Sequence, residues 1–102
     1  MKFQQPHALG RDEAWRRLER LSSYWKNRFG VDVTWNGDSA HFKGKVNGIL
    51  FDATVTVFDT LLDAEGSDPG FVIRAAATAY LKRKLADYLD PSKRLDDLET
   101  GA

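Results

Sequence analysis

The sequence predicts a small α+β domain: a helix, a three-stranded antiparallel meander and a second helix, packed in two layers. Three observations predict it. Apolar residues recur every three to four positions between 11 and 29. The period then falls to two around a pair of Asn-Gly dipeptides. A second helical stripe runs from Ile73 to Tyr88.

In the first helix Ala14, Trp15, Leu18, Leu21, Ser22, Trp25 and Phe29 form one face, with charged residues between them. Asp12 and Glu13 fall in the first turn, where carboxylates suit the helix dipole, and each stands four residues before an arginine (Arg16, Arg17). Gly30 supplies the stop.

Asn36-Gly37 and Asn47-Gly48 each divide β-rich runs, the strongest short-range hairpin signal. With both dipeptides read as two-residue loops, Trp35 pairs with Asp38, Val33 with Ala40, Val31 with Phe42, Val46 with Ile49 and Phe42 with Ala53. One face then holds Val31, Val33, Trp35, Ala40, Phe42, Val46, Ile49, Phe51, Ala53, Val55 and Val57. The other reads Asp32, Thr34, Ser39, His41, Lys43, Lys45, Asp52, Thr54 and Thr56. Such a separation marks a meander with one buried face and one wet face. Residues 2–5 are available as a short edge strand.

Residues 59–68 read as an acidic loop, with Asp59, Asp63, Glu65 and Asp68 and no base. Ser67-Asp68-Pro69 reads as the cap of a second helix running from about Pro69 to Leu89, with Ile73, Ala77, Leu81, Leu85 and Tyr88 as its stripe and Asp90-Pro91 as its end. Residues 1–91 are thus one α+β domain, and the polar stretch 92–102 is a loose C-terminal tail.

The 102 residues suffice for one hydrophobic core and not two. A hydrophobic content of 42% lies well above that of chains that stay disordered. Fifteen basic and fifteen acidic residues cancel, which argues against a protein devoted to neutralising phosphates. Cysteine is absent, so disulfides and thiolate chemistry are excluded and a reducing compartment fits; the expected location is the cytoplasm. No run approaches the ~20 apolar residues of a membrane span, so no integral membrane protein is expected.

Catalysis needs convergent titratable or nucleophilic groups. The two histidines, His7 and His41, belong to no metal-chelating helix motif, no Gly-x-Ser-x-Gly elbow surrounds a serine, and no glycine cluster forms a nucleotide loop. The expectation is no enzyme: no catalytic residue, no cofactor and no metal. Arginines and tryptophans on the first helix raise nucleic acid as a partner, but Trp15 and Trp25 fall on the apolar stripe and acids at 12, 13 and 19 dilute the charge, so none is expected. Lys82-Arg83-Lys84 reads as charge complementing the dipole of its helix. Apolar surface is the remaining anomaly. Leu50 and Phe58 project from the wet face, and Leu61 and Leu62 lie at the mouth of the acidic loop; these four are the candidate binding residues.

The string Pro6-His7-Ala8-Leu9-Gly10-Arg11, the helix closing on Arg28-Phe29-Gly30, and the run Val31-Asp32-Val33-Thr34-Trp35-Asn36-Gly37-Asp38-Ser39-Ala40-His41-Phe42 together resemble the polyhydroxyalkanoic acid system family, small bacterial proteins associated with polyester-granule genes. The likeness covers about residues 5–58, and Lys82 to Leu89 looks like the family's last helix. The stretch 59–70 departs from the family, with Asp-Ala-Glu-Gly-Ser-Asp-Pro-Gly in place of a more apolar, basic link. The resemblance implies a cytoplasmic, non-enzymatic accessory or regulatory protein of polyhydroxyalkanoate metabolism that binds a granule surface or a protein partner. Two alternatives stand beside it. One is a homodimeric module in which the apolar patch and a free strand edge bury each other. The other is a small-ligand domain using His7 or His41 as a base.

Overall fold

The computed structural model describes residues 1–70 and 72–102. Its order is β1 (Lys2–Pro6), α1 (Arg11–Phe29), β2 (Asp32–Asn36), β3 (Ser39–Val46), β4 (Ile49–Val57), β5 (Leu61–Gly66) and α2 (Arg74–Tyr88), then a short 3-10 turn at Leu95–Asp97. The strands form one antiparallel sheet in the order β1-β5-β4-β3-β2. The expected meander is its centre and one edge, and the sheet has five strands rather than three.

The fifth strand corrects the acidic-loop reading. Along Leu61–Gly66 side chains alternate, so Leu62 and Ala64 enter the core while Asp63 and Glu65 face away. The acids that suggested a loop are one face of a strand. Gly66 completes it without a side chain, because a Cβ there would come within 2.8 Å of the Ala53 Cβ and of the Asp52 carbonyl oxygen. Lys2–Pro6 pairs with this strand, from Lys2 opposite Glu65 to Pro6 opposite Leu61.

The first hairpin turns one residue later than expected. Asn36 pairs with Ser39, leaving Gly37-Asp38 as the loop; Gly37 has φ 60°, as a II′ turn requires at its first central position. Trp35 therefore lies opposite Ala40 and Val33 opposite Phe42, a slip of two residues along β3. A two-residue slip preserves side-chain alternation, so every residue stays on its expected face. The second hairpin closes as expected, Val46 opposite Ile49, with Asn47 and Gly48 both at positive φ.

Both helices roof the same face. Ala14, Leu18, Leu21 and Trp25 of α1, and Ala77, Leu81, Leu85 and Tyr88 of α2, share one core with Phe42, Phe51, Val55, Val57 and Leu62. Trp25 meets Phe42 edge to face at 5.1 Å between ring centroids. Helix α1 ends on Gly30 in the left-handed region (φ 71°), whose N–H donates to the Lys26 carbonyl. Helix α2 starts at Arg74, later than expected. Asp68 is not its cap: its carboxylate accepts the Gly70 N–H at 2.9 Å and pairs with Arg74. Phe71, inside the expected helix, lies outside the described residues.

The stretch 92–102 is docked rather than loose. Arg17, buried in the middle of α1, donates to the carbonyls of Tyr88 (3.2 Å), Asp90 (2.9 Å) and Lys93 (2.7 Å), and its Nε to Glu13 (2.9 Å). Arg20 donates to the Leu98 and Asp96 carbonyls, Asn27 to that of Thr100, and Leu98 is buried. The Tyr88 hydroxyl donates to the Glu99 carbonyl at 2.5 Å. Burial, reinforced by the Glu99 carboxylate, holds this phenol far above its ordinary pKa of 10.0. Because the folded chain disfavours the phenolate, this contribution to stability is complete below pH 10 and falls as the unfolded chain ionises above it. A urea midpoint that drops between about pH 10 and pH 11.5, with a smaller drop in Tyr88→Phe, is the expected result.

Candidate functional site on the open face of the sheet

Among the described residues no helix covers the opposite face of the sheet. On it stand Lys2, Gln4, Pro6, Leu61, Asp63, Glu65, Thr54, Thr56, Asp52, Leu50, Phe58, Ser39, His41, Lys43, Lys45, Asp32 and Thr34, placed by strand alternation. Most are polar, and four cross-strand pairs of them meet. His41 Nε2 lies 2.6 Å from the Asp52 carboxylate, and the Ser39 and Thr56 hydroxyls are 2.8 Å apart.

Phe58 and Leu61 break this pattern together. The Phe58 N–H donates to the Leu61 carbonyl at 2.9 Å, closing the β4–β5 hairpin over Asp59-Thr60, while the next pair, Val57 and Leu62, faces the core. Phe58 and Leu61 therefore point together to the open side, and Pro6 lies beside Leu61. Phe58 is 50% exposed and Leu61 half-buried. The structure thus divides the four predicted residues. Leu62, 1% exposed, belongs to the core and offers no surface. Leu50 is exposed on the same face as Phe58, but eight positions away along the chain, about 26 Å in an extended strand.

The hairpin tip also holds the start of α1. The Asp59 carboxylate accepts the Arg11 N–H at 3.2 Å and so caps a helix whose own capping residue, Gly10, has no side chain. His7 completes the corner. Its Nδ1 accepts the Leu9 N–H at 3.2 Å, which leaves the proton on Nε2 to be donated to the Phe58 carbonyl at 3.0 Å. Both ring nitrogens of His7 are occupied in holding a turn. Sequence reading missed Asp59 because its helix lies 48 residues away along the chain.

The basic segments are engaged within the molecule. Arg11 pairs with Asp12 and Asp38, Arg16 lies 3.7 Å from Glu13, and Trp15 stacks on Trp35 at 4.7 Å. Lys82, Arg83 and Lys84 stand in the C-terminal half of α2, short of its last turn. They lie over the rings of Phe3, Tyr80 and Tyr24, with Lys84 the nearest at 4.3 Å. Beneath the helices a crevice between Trp25, Val46, Phe51 and Tyr80 has a volume of about 20 Å³, room for one water molecule. Among the described residues no group of three His, Cys, Asp or Glu side chains is placed to hold a metal ion, and no helix is long and apolar enough to cross a membrane.

Residues 1–91, from β1 through the end of α2, match the model of the family described as "Putative polyhydroxyalkanoic acid system protein". The chain belongs to this family. No curated protein and no solved structure matches it. Within the polyhydroxyalkanoic acid system family match lie the Phe58–Leu61 corner, the Asp59 cap and the open face; the docked tail from Ser92 onward lies beyond it. A second exposed apolar spot, also missed in the sequence, precedes α2: Val72 is 89% exposed and Ile73, expected to face the core, 37%.

Proposed function

We propose that this chain is a non-enzymatic accessory protein of polyhydroxyalkanoate metabolism that lies against the granule surface through the Phe58–Leu61 corner. Family membership supports the polyester connection. The observation that carries the surface reading is the pairing of a half-exposed phenylalanine with a leucine, beside Pro6, on a face whose other residues are almost all polar. An apolar cluster rimmed by polar side chains suits a greasy surface approached from water. Both histidines being tied into local hydrogen bonds, and the crevice beneath the helices being water-sized, supports a binding role over a catalytic one.

In polyester-accumulating cells the tagged protein is expected to sediment with granules, and Phe58→Ser combined with Leu61→Ser to release most of it. Leu50→Ser, at the far end of the sheet, leaves the distribution unchanged. A wild-type protein found wholly outside the granule fraction would sink this reading.

A further inference from the structure

The sheet has two edges, and they differ. Strand β1 carries Lys2 and ends in Pro6, which has no N–H to offer, both devices that discourage strand addition. Strand β2 has neither. The Val57 N–H donates to the Asp38 carbonyl at 2.8 Å, so in β3 the main-chain groups of Asp38 and Ala40 point to β4, and those of Ser39 and His41 point to β2. Their partners Asn36 and Thr34 are therefore bonded inward. The N–H and C=O groups of Val33 and Trp35 point out from the edge, and among the described residues no hydrogen bond from another segment takes them up.

We propose that β2 pairs antiparallel with β2 of a second copy about a two-fold axis at Thr34, joining two five-stranded sheets into one of ten. In this register Val33 lies opposite Trp35 of the other copy, twice over, and all four outward groups of each chain find partners. Thr34 meets Thr34 on the open face, and Asp32 meets the uncharged Asn36, so no like charges oppose. Val33 and Trp35 are half-buried on the helix side, where Trp35 already stacks on Trp15, and the pairing covers their remaining surface with a β-branched and aromatic contact. A slip of one residue sets apolar side chains against polar ones. A slip of two either brings in Val31, whose N–H is already given to the Trp25 carbonyl, or opposes Trp35 with itself and leaves Val33 against Gly37.

Association state reads the β2 edge and granule fractionation reads the Phe58–Leu61 corner, through different residues, so the two proposals fail separately. Sedimentation velocity is expected to show a dimer that dissociates on dilution. Val33→Pro removes only an outward N–H and leaves the bonds to β3 intact; losing two intermolecular bonds per dimer weakens association roughly thirtyfold. Val33→Lys, a charge on the edge, is expected to act in the same direction. Amide exchange of the wild-type protein gives a reading independent of any variant: the Val33 and Trp35 amides are slow at high concentration and fast on dilution. A monomer at all concentrations, a dimer that both variants leave intact, or Val33 and Trp35 amides that exchange freely at high concentration would each overturn the proposal.

Discussion

Leu62→Ala is expected to lower the unfolding free energy by about 2–5 kcal/mol, the usual cost of emptying a buried leucine site. Leu61→Ser, one position away, is expected to cost about 1 kcal/mol or less. The difference follows from strand alternation alone. Leu62 is 1% exposed, sits opposite Val57 and shares the core with Leu18, Leu21 and Leu85, whereas Leu61 stands on the open face next to Pro6. Urea denaturation of the two variants side by side measures it. Equal losses would mean that β5 is out of register and that the hairpin does not close at Phe58 and Leu61.

The second large effect concerns Arg17. Its side chain is 5% exposed and satisfies three carbonyls of the segment after α2, in addition to the Glu13 carboxylate. Replacing it with methionine keeps the bulk and removes every donor, which leaves three carbonyls without their partner and Glu13 with Arg16 alone. The expected loss is about 3–5 kcal/mol, the summed cost of largely buried acceptors left unsatisfied. Arg17→Lys recovers only part, because an ammonium cannot match the planar fork that reaches Asp90 and Lys93 at once. Limited proteolysis supplies a second reading, with cleavage after Lys93 or Arg94 much faster in the methionine variant. A loss under about 1 kcal/mol would show that Tyr88 and Leu98 dock the segment without the arginine.

What the sequence disclosed was mostly alternation. The faces of β2, β3 and β4 survived a misplaced turn because the error was an even number of residues. Helix α1 was legible from Arg11 to its glycine stop, since period, first-turn acids and Gly30 all agreed. Strand β5 was hidden by composition: two of its outward positions are acidic and its inward ones include a small alanine, so alternation was present without the β-branched residues that usually announce it. Its neighbour β1 lies some 60 residues away along the chain, a separation at which local patterns are silent. The docked C-terminal stretch was illegible for a different reason. It is held by its carbonyl oxygens, which every residue possesses, and the donors are three side chains of α1 that read as solvated. Half of the candidate site shared this fate. Phe58 could be seen as an exposed apolar residue on a wet face, but its pairing with Leu61 required the hairpin that the acidic residues concealed.

The strand order also governs how this molecule comes into being. Of these five strands β1 is made first, yet it adds only to β5, made last of the five, so Lys2 waits for Glu65. Until then the nascent β2–β4 meander presents β4 as a bare central edge, in a chain whose closing contact is among its most distant. Sheet completion therefore has to close a loop of some 60 residues, and a chain that has not yet closed it offers the β4 edge to misassociation.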